Sequence, residues 1–216
     1  LAGVHRSYPG GTYQGMRSPD TGFSLPDSLN TSLTTVLPSL QPREVGVLCS
    51  ALHQCNLHLE TRHHEVRSAL LHCLIDFPPA SILRDEFSVA SLAKFLRKRG
   101  SNNHWHCLRV MDKYRPHLPS LGTYTKMRLL QFLLPADCSP DETRDFVTEL
   151  CSSCEPHMAA MRLKDLEQLA YCIFFLNHGD VCERFGPSIG RAMLACDWAN
   201  VKSGMSFVYL TTLLAK

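Results

Sequence analysis

Positively charged side chains are concentrated in one stretch of the sequence, where they could contact the phosphates of a nucleic acid. Residues 94–117 contain seven lysines and arginines and one acid, Asp112. Cations offset the charge of a phosphate backbone, and exposed aromatic rings stack on unpaired bases. Because Trp105 and Tyr114 lie among these cations, the stretch predicts a surface for single-stranded nucleic acid. The side chains predicted to take part are Arg97, Lys98, Arg99, Arg109, Lys113, Arg115, Trp105 and Tyr114.

Two other interpretations of this stretch stay open. Basic runs are common on solvated helix faces, and the net charge of the whole chain is only +2. Trp105 is also large enough to anchor a hydrophobic core instead of facing a ligand.

Residues 139–167 carry seven acids and three basic residues, so the modest net charge conceals a segregation of charge along the chain.

Cys151 and Cys154 have the spacing of half a zinc site or of a redox-active pair. The sequence contains no second pair with this spacing, and both cysteines fall on the apolar side of a helical pattern. We therefore predict that they pack in a core, and we expect no metal and no cofactor. Other cysteines, among them Cys49 and Cys55, are also assigned to helix cores, which favours a reducing compartment.

The zinc-protease and kinase motifs that the sequence partly resembles are incomplete. His64 and Glu65 open like the helix of a zinc protease, but Ser68 stands where the second histidine ligand is required. Residues 10–15 lack the glycine spacing of a kinase loop, and Asp76-Phe77 is followed by proline instead of glycine. We expect no catalytic residues within this chain.

Apolar residues recur at helical spacing from about residue 29 onward and predict helices of roughly 10 to 18 residues, without any strand. Val45, Cys49 and Leu52 fall on one face of such a helix. Ser139 supplies a capping hydroxyl, Pro140 suits the first turn, and a glutamate follows at the capping-box position. This combination predicts a helix that begins near Pro140.

The predicted helices alternate as in helical-hairpin repeats. First helices are predicted to begin near Pro42, Val89, Tyr124, Arg162 and Ser203, and second helices near His64, His104, Pro140 and Val181. One hairpin cannot bury its own apolar face, so the pattern predicts an all-α fold, an α-solenoid of stacked helical hairpins similar to PPR or HEAT repeats. Residues 1–28, rich in proline and glycine, are expected to form a linker or disordered arm, and residues 29–216 the helical-repeat domain.

One segment resembles the recurring helix of a known family. Residues 161–177 read Met-Arg-Leu-Lys-Asp-Leu-Glu-Gln-Leu-Ala-Tyr-Cys-Ile-Phe-Phe-Leu-Asn, and residues 88–96 are a looser copy. A leucine-x-aspartate-leucine pattern, followed by an aliphatic and aromatic run that ends in leucine-asparagine, resembles the FAST kinase domain-containing family. The resemblance is strongest over residues 139–216 and weaker back to residue 29.

The resemblance implies both a function and a location. Members of that family are mitochondrial matrix proteins that bind organellar transcripts and influence their processing, stability or translation. For this chain it implies single-stranded mitochondrial RNA, as mRNA or precursor transcripts, as the partner, with further protein partners in RNA granules and no membrane span. Any nuclease-like activity would belong to a C-terminal RAP domain outside these residues. The alternative is a protein-interaction scaffold whose groove holds a helix or peptide, with RNA handled by other domains.

Overall fold

The computed structural model describes residues 23–97, 104–133, 138–175 and 179–198, together with residues 208, 211 and 213. These residues are almost entirely helical, which confirms the predicted all-α class. None of the helices in these ranges is long and apolar enough to cross a membrane. The helices are α1 (Asp27–Val36), α2 (Pro42–Gln54), α3 (His64–Ile75), α4 (Pro79–Ile82), α5 (Glu86–Leu96), α6 (His104–Tyr114), α7 (Thr123–Leu133), α8 (Pro140–Cys154), α9 (Leu163–Phe175) and α10 (Gly179–Leu194).

A two-stranded sheet departs from the prediction that the chain contains no strand. Strand β1 (Phe23–Ser24) pairs in parallel with β2 (Leu57–His58). The backbone N–H of Leu25 donates to the carbonyl of His58 at 3.0 Å, and the Leu25 side chain is fully buried. The predicted arm of residues 1–28 is therefore too long, since residues 23–28 belong to the fold. Residues 1–22 lie outside the described residues.

Capping residues fix where α2 and α8 begin. The backbone N–H of Ser139 donates to the Glu142 carboxylate at 2.8 Å, and the Glu142 N–H donates to Ser139 Oγ at 3.4 Å. At α2 the N–H of Gln41 donates to the Glu44 carboxylate at 2.7 Å. In both helices a proline occupies the first turn. Backbone N–H groups in this turn have no partner within the helix, so a proline there loses no hydrogen bond.

The predicted helix starts agree with the structure to within three residues wherever they are described. The starts of α2, α3 and α8 fall on the predicted residue, and α6 is described from the predicted His104 onward, directly after residues outside the description. Helix α5 begins at Glu86, three residues before the predicted Val89, and Asp85 is its N-cap residue. The last predicted start, near Ser203, lies outside the described residues.

Contacts between helices follow two rows. In the first row α2 contacts α5, α5 contacts α7, and α7 contacts α9. In the second row α3 contacts α6, α6 contacts α8, and α8 contacts α10. Helices α5 and α7 of the first row are strongly buried, and in α5 every residue from 88 to 93 is buried. One contiguous apolar cluster extends from Leu25 to Leu213 and joins the two rows.

The first two helices of the first row approach closely at Gly46. A Cβ atom placed on Gly46 would lie 2.4 Å from the Cα of Ser88. Since carbon atoms do not approach each other to this distance, α2 and α5 can pack this way only because Gly46 has no side chain.

Candidate nucleic-acid interface

The predicted basic residues that the structure describes lie on elements of different rows. Lys98 and Arg99 lie outside the described residues. Arg97 directly follows α5 in the first row, whereas Arg109 lies on α6 and Arg115 in the turn after it, in the second row. The basic stretch of the sequence is therefore divided between the two rows.

Helix α6 presents an exposed aromatic ring beside a cation. Trp105 is 51% exposed, and the Arg109 guanidinium lies 5.6 Å from its ring centroid. The two residues are four positions apart, which places them on the same helix face. The interpretation of Trp105 as a core anchor is wrong, because its ring faces solvent. The pair offers an aromatic surface for a base and a nearby charge for a phosphate.

Lys113 lies in a less favourable electrostatic setting than Arg109. The two cations border a pocket of about 300 Å³ that Ile75, Asp76 and Asp112 also line. Two carboxylates beside two cations leave this pocket without a net positive charge. Lys113 is therefore a weaker phosphate ligand than its place in the sequence suggests.

Arg115 faces the acidic segment of its own chain. Its Nε donates to the Glu149 carboxylate at 2.8 Å, and its guanidinium lies 3.6 Å from the Asp145 carboxylate. The hydrogen bond to Glu149 raises the pKa of Arg115 and lowers the pKa of Glu149. His104 Nε2 also lies 3.1 Å from the Glu142 carboxylate, in a second contact between α6 and α8. The basic and acidic segments are thus neighbours that compensate each other, and Arg115 is not among the residues we propose for RNA contact.

The predicted stacking role of Tyr114 is wrong. Its side chain is 0% exposed, and its hydroxyl donates to the backbone carbonyl of Leu74 at 2.9 Å. Burial raises the pKa of this hydroxyl, which keeps it protonated as a donor. Tyr114 therefore ties α6 to α3 inside the core, where no base can reach its ring.

The cysteine pair at the end of α8 packs in the core as predicted. Cys151 and Cys154 are fully buried, and burial raises the pKa of both thiols, so they stay protonated near neutral pH. Within the described ranges, no three histidine, cysteine, aspartate or glutamate side chains are placed to hold a metal ion. The core assignment of Cys55 is wrong, because this thiol is exposed after the end of α2.

A serine motif in residues 186–190 escaped the sequence-based prediction. These residues read Gly-Pro-Ser-Ile-Gly, which matches the Gly-x-Ser-x-Gly pattern of hydrolase nucleophiles. In hydrolases the motif forms a strained turn between a strand and a helix, whereas here it lies inside α10. The Ser188 hydroxyl donates to Glu155 at 3.4 Å and accepts from Arg191 at 3.3 Å. A regular helix does not supply the strained turn on which that motif depends.

A second aromatic and arginine pair lies on α7, and the sequence-based prediction missed it. Tyr124 is 45% exposed, and the Arg128 guanidinium lies 4.5 Å from its ring centroid. The four-residue spacing, which is the same as in the pair on α6, could have signalled it. Arg97 and Arg128 also donate to the same oxygen, Gln131 Oε1, at 2.5 and 2.8 Å. The first row thus carries its own exposed ring beside Arg128, and Arg128 shares the Gln131 oxygen with Arg97.

Comparisons with known proteins give no match. No protein family model, no curated protein and no solved structure is significantly similar to this chain. Support for a function therefore comes from the geometry of the side chains and from the two rows of helices.

Proposed function

We propose that this chain is an RNA-binding helical-repeat region that holds single-stranded transcripts on its surface. The observation that carries the proposal is the exposed Trp105 ring with the Arg109 guanidinium beside it. Exposure of a large aromatic ring to water costs free energy, and a base that stacks on the ring would remove much of its contact with water. Arg109 would then lie where it can neutralise the adjoining phosphate.

The two rows of helices support an α-solenoid of stacked hairpins as the architecture of this region. Helices α9 and α10 pack against each other as a hairpin, and within each row every helix contacts the next one along. The two segments that resemble the family's recurring helix fall on α9 and α5, which are both first-row helices. Equivalent sequence patterns at equivalent positions are what a repeat requires.

The compartment and the biological role follow from the resemblance alone. We place the chain in the mitochondrial matrix, where it would bind mRNA or precursor transcripts and affect their processing, stability or translation. Its own contribution would be binding without catalysis. Other proteins of RNA granules are further partners in this proposal.

Trp105→Ala and Arg109→Ala are expected to weaken the binding of single-stranded RNA. Loss of one stacked base costs about 1–3 kcal/mol, which corresponds to a decrease in affinity of about fivefold to somewhat more than a hundredfold. Removal of one phosphate contact reduces the slope of log affinity against log salt concentration by about 0.7. Filter binding with an RNA of about 20 nucleotides, at roughly 50 and 200 mM salt, measures both quantities.

Arg184→Ala provides a matched control for Arg109→Ala. The Arg184 guanidinium also lies beside an aromatic ring, 4.7 Å from the centroid of Phe185, but this ring is buried and cannot stack on a base. Loss of Arg184 should leave RNA affinity nearly unchanged. Equal affinities and equal salt slopes for the wild type and for the Trp105 and Arg109 variants would exclude this surface.

A second candidate function, as a protein-interaction scaffold, is favoured by an apolar groove along α2. Two pockets of about 770 and 580 Å³ adjoin there and share Arg43 and Val47 as lining residues. Val47 is 55% exposed and Phe87 58% exposed, so two large apolar side chains face the groove without cover in the described structure. Exposed apolar surface of this kind is typical of sites that bind a partner.

Charge at the rim of this groove favours a partner with acidic residues. Arg43 forms no ion pair with the described part of the chain, while Glu44 is held by the backbone N–H of Gln41 at the helix start. Arg84 is largely exposed, and its neighbour Asp85 lies 3.7 Å away, mostly buried. An amphipathic helix with apolar residues toward Val47 and Phe87, and carboxylates toward the two arginines, would complement this rim.

Peptide selection separates this second function from RNA binding. Peptides selected for binding to the chain from a random 16-residue display library should combine apolar residues at helical spacing with aspartate or glutamate. Val47→Asp and Phe87→Asp should weaken binding of the selected peptides about tenfold or more. Leu194→Asp, at an exposed apolar position of α10, should leave their binding unchanged. If the selected peptides bind the Val47→Asp and Phe87→Asp variants as tightly as the wild type, the groove is excluded as their binding site.

A further inference from the structure

Two arginines from neighbouring first-row helices converge on one neutral side chain. Arg97, at the end of α5, and Arg128, on α7, both donate to Gln131 Oε1. Gln131 is buried, and its amide nitrogen donates in turn to the side-chain oxygen of Gln168 on α9. This network fixes the Gln131 oxygen, and with it the two guanidinium groups that share it.

The charge of this arrangement is not balanced by a carboxylate at Arg128. Arg128 forms no ion pair with the described residues, and its Nε atom is buried without a hydrogen-bond partner. Asp165, an acid at the start of the neighbouring α9, is held by Arg162 through two hydrogen bonds of 2.8 and 3.1 Å. Arg128 therefore keeps donor capacity that no described residue takes up, and an anion that also accepts from Arg97 would use it.

The geometry of the site matches a phosphate with a ring system attached. Guanidinium groups donate in planar pairs that suit phosphate oxygens, and Arg97 is exposed so that an anion can reach it. Tyr124 lies against the Arg128 guanidinium with nearly half of its surface open. A nucleotide has both parts, since its phosphate can accept from the arginines while its base stacks on the tyrosine.

We propose that Arg97 and Arg128 bind the phosphate of a nucleotide whose base stacks on Tyr124. The site lies on the first row, whereas the Trp105 surface lies on the second, so it is a separate point of contact. If the nucleotide is one unit of a bound RNA strand, the inference rests on the proposed RNA-binding function. A free nucleotide offers the same chemistry, and the experiment distinguishes the two sources.

The experiment compares the full chain with Arg128→Ala and Tyr124→Ala. Fluorescence anisotropy measures affinity for the same single-stranded RNA at two salt concentrations, and calorimetry measures the binding of UMP and of inorganic phosphate. We expect each variant to bind RNA at least about fivefold more weakly, and Arg128→Ala to reduce the salt slope by about 0.7. Arg128→Lys should keep the slope, and Arg184→Ala should behave as wild type. Circular dichroism and melting curves establish that the variants are folded.

Each outcome identifies which proposal fails. If the Trp105 variant weakens RNA binding while the Arg128 and Tyr124 variants bind RNA and UMP as wild type does, this inference fails and the proposed function stands. If the wild type binds no RNA but binds UMP in a way that needs Arg128 and Tyr124, the site stands as one for a free nucleotide and the proposed function fails. Binding of inorganic phosphate as tightly as UMP, with no effect of Tyr124→Ala, would overturn the nucleotide assignment.

Discussion

Replacement of Tyr114 with alanine is expected to lower the free energy of unfolding by about 3–5 kcal/mol. The side chain is fully buried between α6 and α3, so truncation leaves a cavity that the surrounding helices fill only in part. It also leaves the Leu74 carbonyl without its hydrogen-bond donor. Urea unfolding followed by circular dichroism measures the change as a shift of the midpoint at constant slope.

Two further variants separate the contributions of this tyrosine. Tyr114→Phe keeps the ring but removes the hydroxyl, and should cost about 1–2 kcal/mol because the buried Leu74 carbonyl loses its donor. Tyr124→Ala removes the same side chain from an exposed position and should cost less than about 1 kcal/mol. A Tyr114→Ala variant as stable as Tyr124→Ala would contradict the placement of Tyr114 in the core.

The contrast in burial between Tyr114 and Tyr124 shows which features local sequence can predict. Tyr114 lies at the end of α6 among cations, and Tyr124 at the start of α7, outside the basic stretch. Neither position reveals whether a ring faces solvent or a neighbouring helix. That depends on how α6 packs on α3, a contact that joins residues 40 positions apart in the chain. Composition alone therefore selected, as a stacking residue, a tyrosine whose ring is buried.

Helix starts were predicted well because their signals are local. At Ser139 and Glu142 the cap, the proline and the returning carboxylate lie within four residues, so the chemistry that starts the helix is present in the sequence itself. The pairing of β1 with β2 was missed for the opposite reason. Each strand has two residues, too few to show an alternating pattern, and the pairing joins segments more than 30 residues apart.

The candidate site could be predicted only in part. The pairing of Trp105 with Arg109 follows from helical spacing, and the charge segregation is visible in the sequence. The acidic helix α8 lies beside α6 and so compensates the charge of Arg115. This placement depends on how the second-row helices pack, which the local sequence does not reveal. In the same way, Arg97 and Arg128 meet at Gln131 only because α5 packs on α7 in one particular register. Residue types indicated the chemistry, but packing decided which cations converge.

Gly46→Ala is expected to destabilise the first row by about 2–3 kcal/mol, although alanine is the better helix former by about 1 kcal/mol. The added Cβ would lie 2.4 Å from Ser88 Cα, so α2 and α5 must separate and lose contact along their length. Gly179→Ala is the matched control, since no atom lies within 4 Å of the Cβ it would add at the first residue of α10. This control should be neutral or slightly stabilising in the same urea titration. Ser88→Gly should rescue Gly46→Ala only weakly, because the clash with the Ser88 backbone remains. Similar stabilities for the Gly46 and Gly179 variants would show that α2 and α5 do not pack this closely.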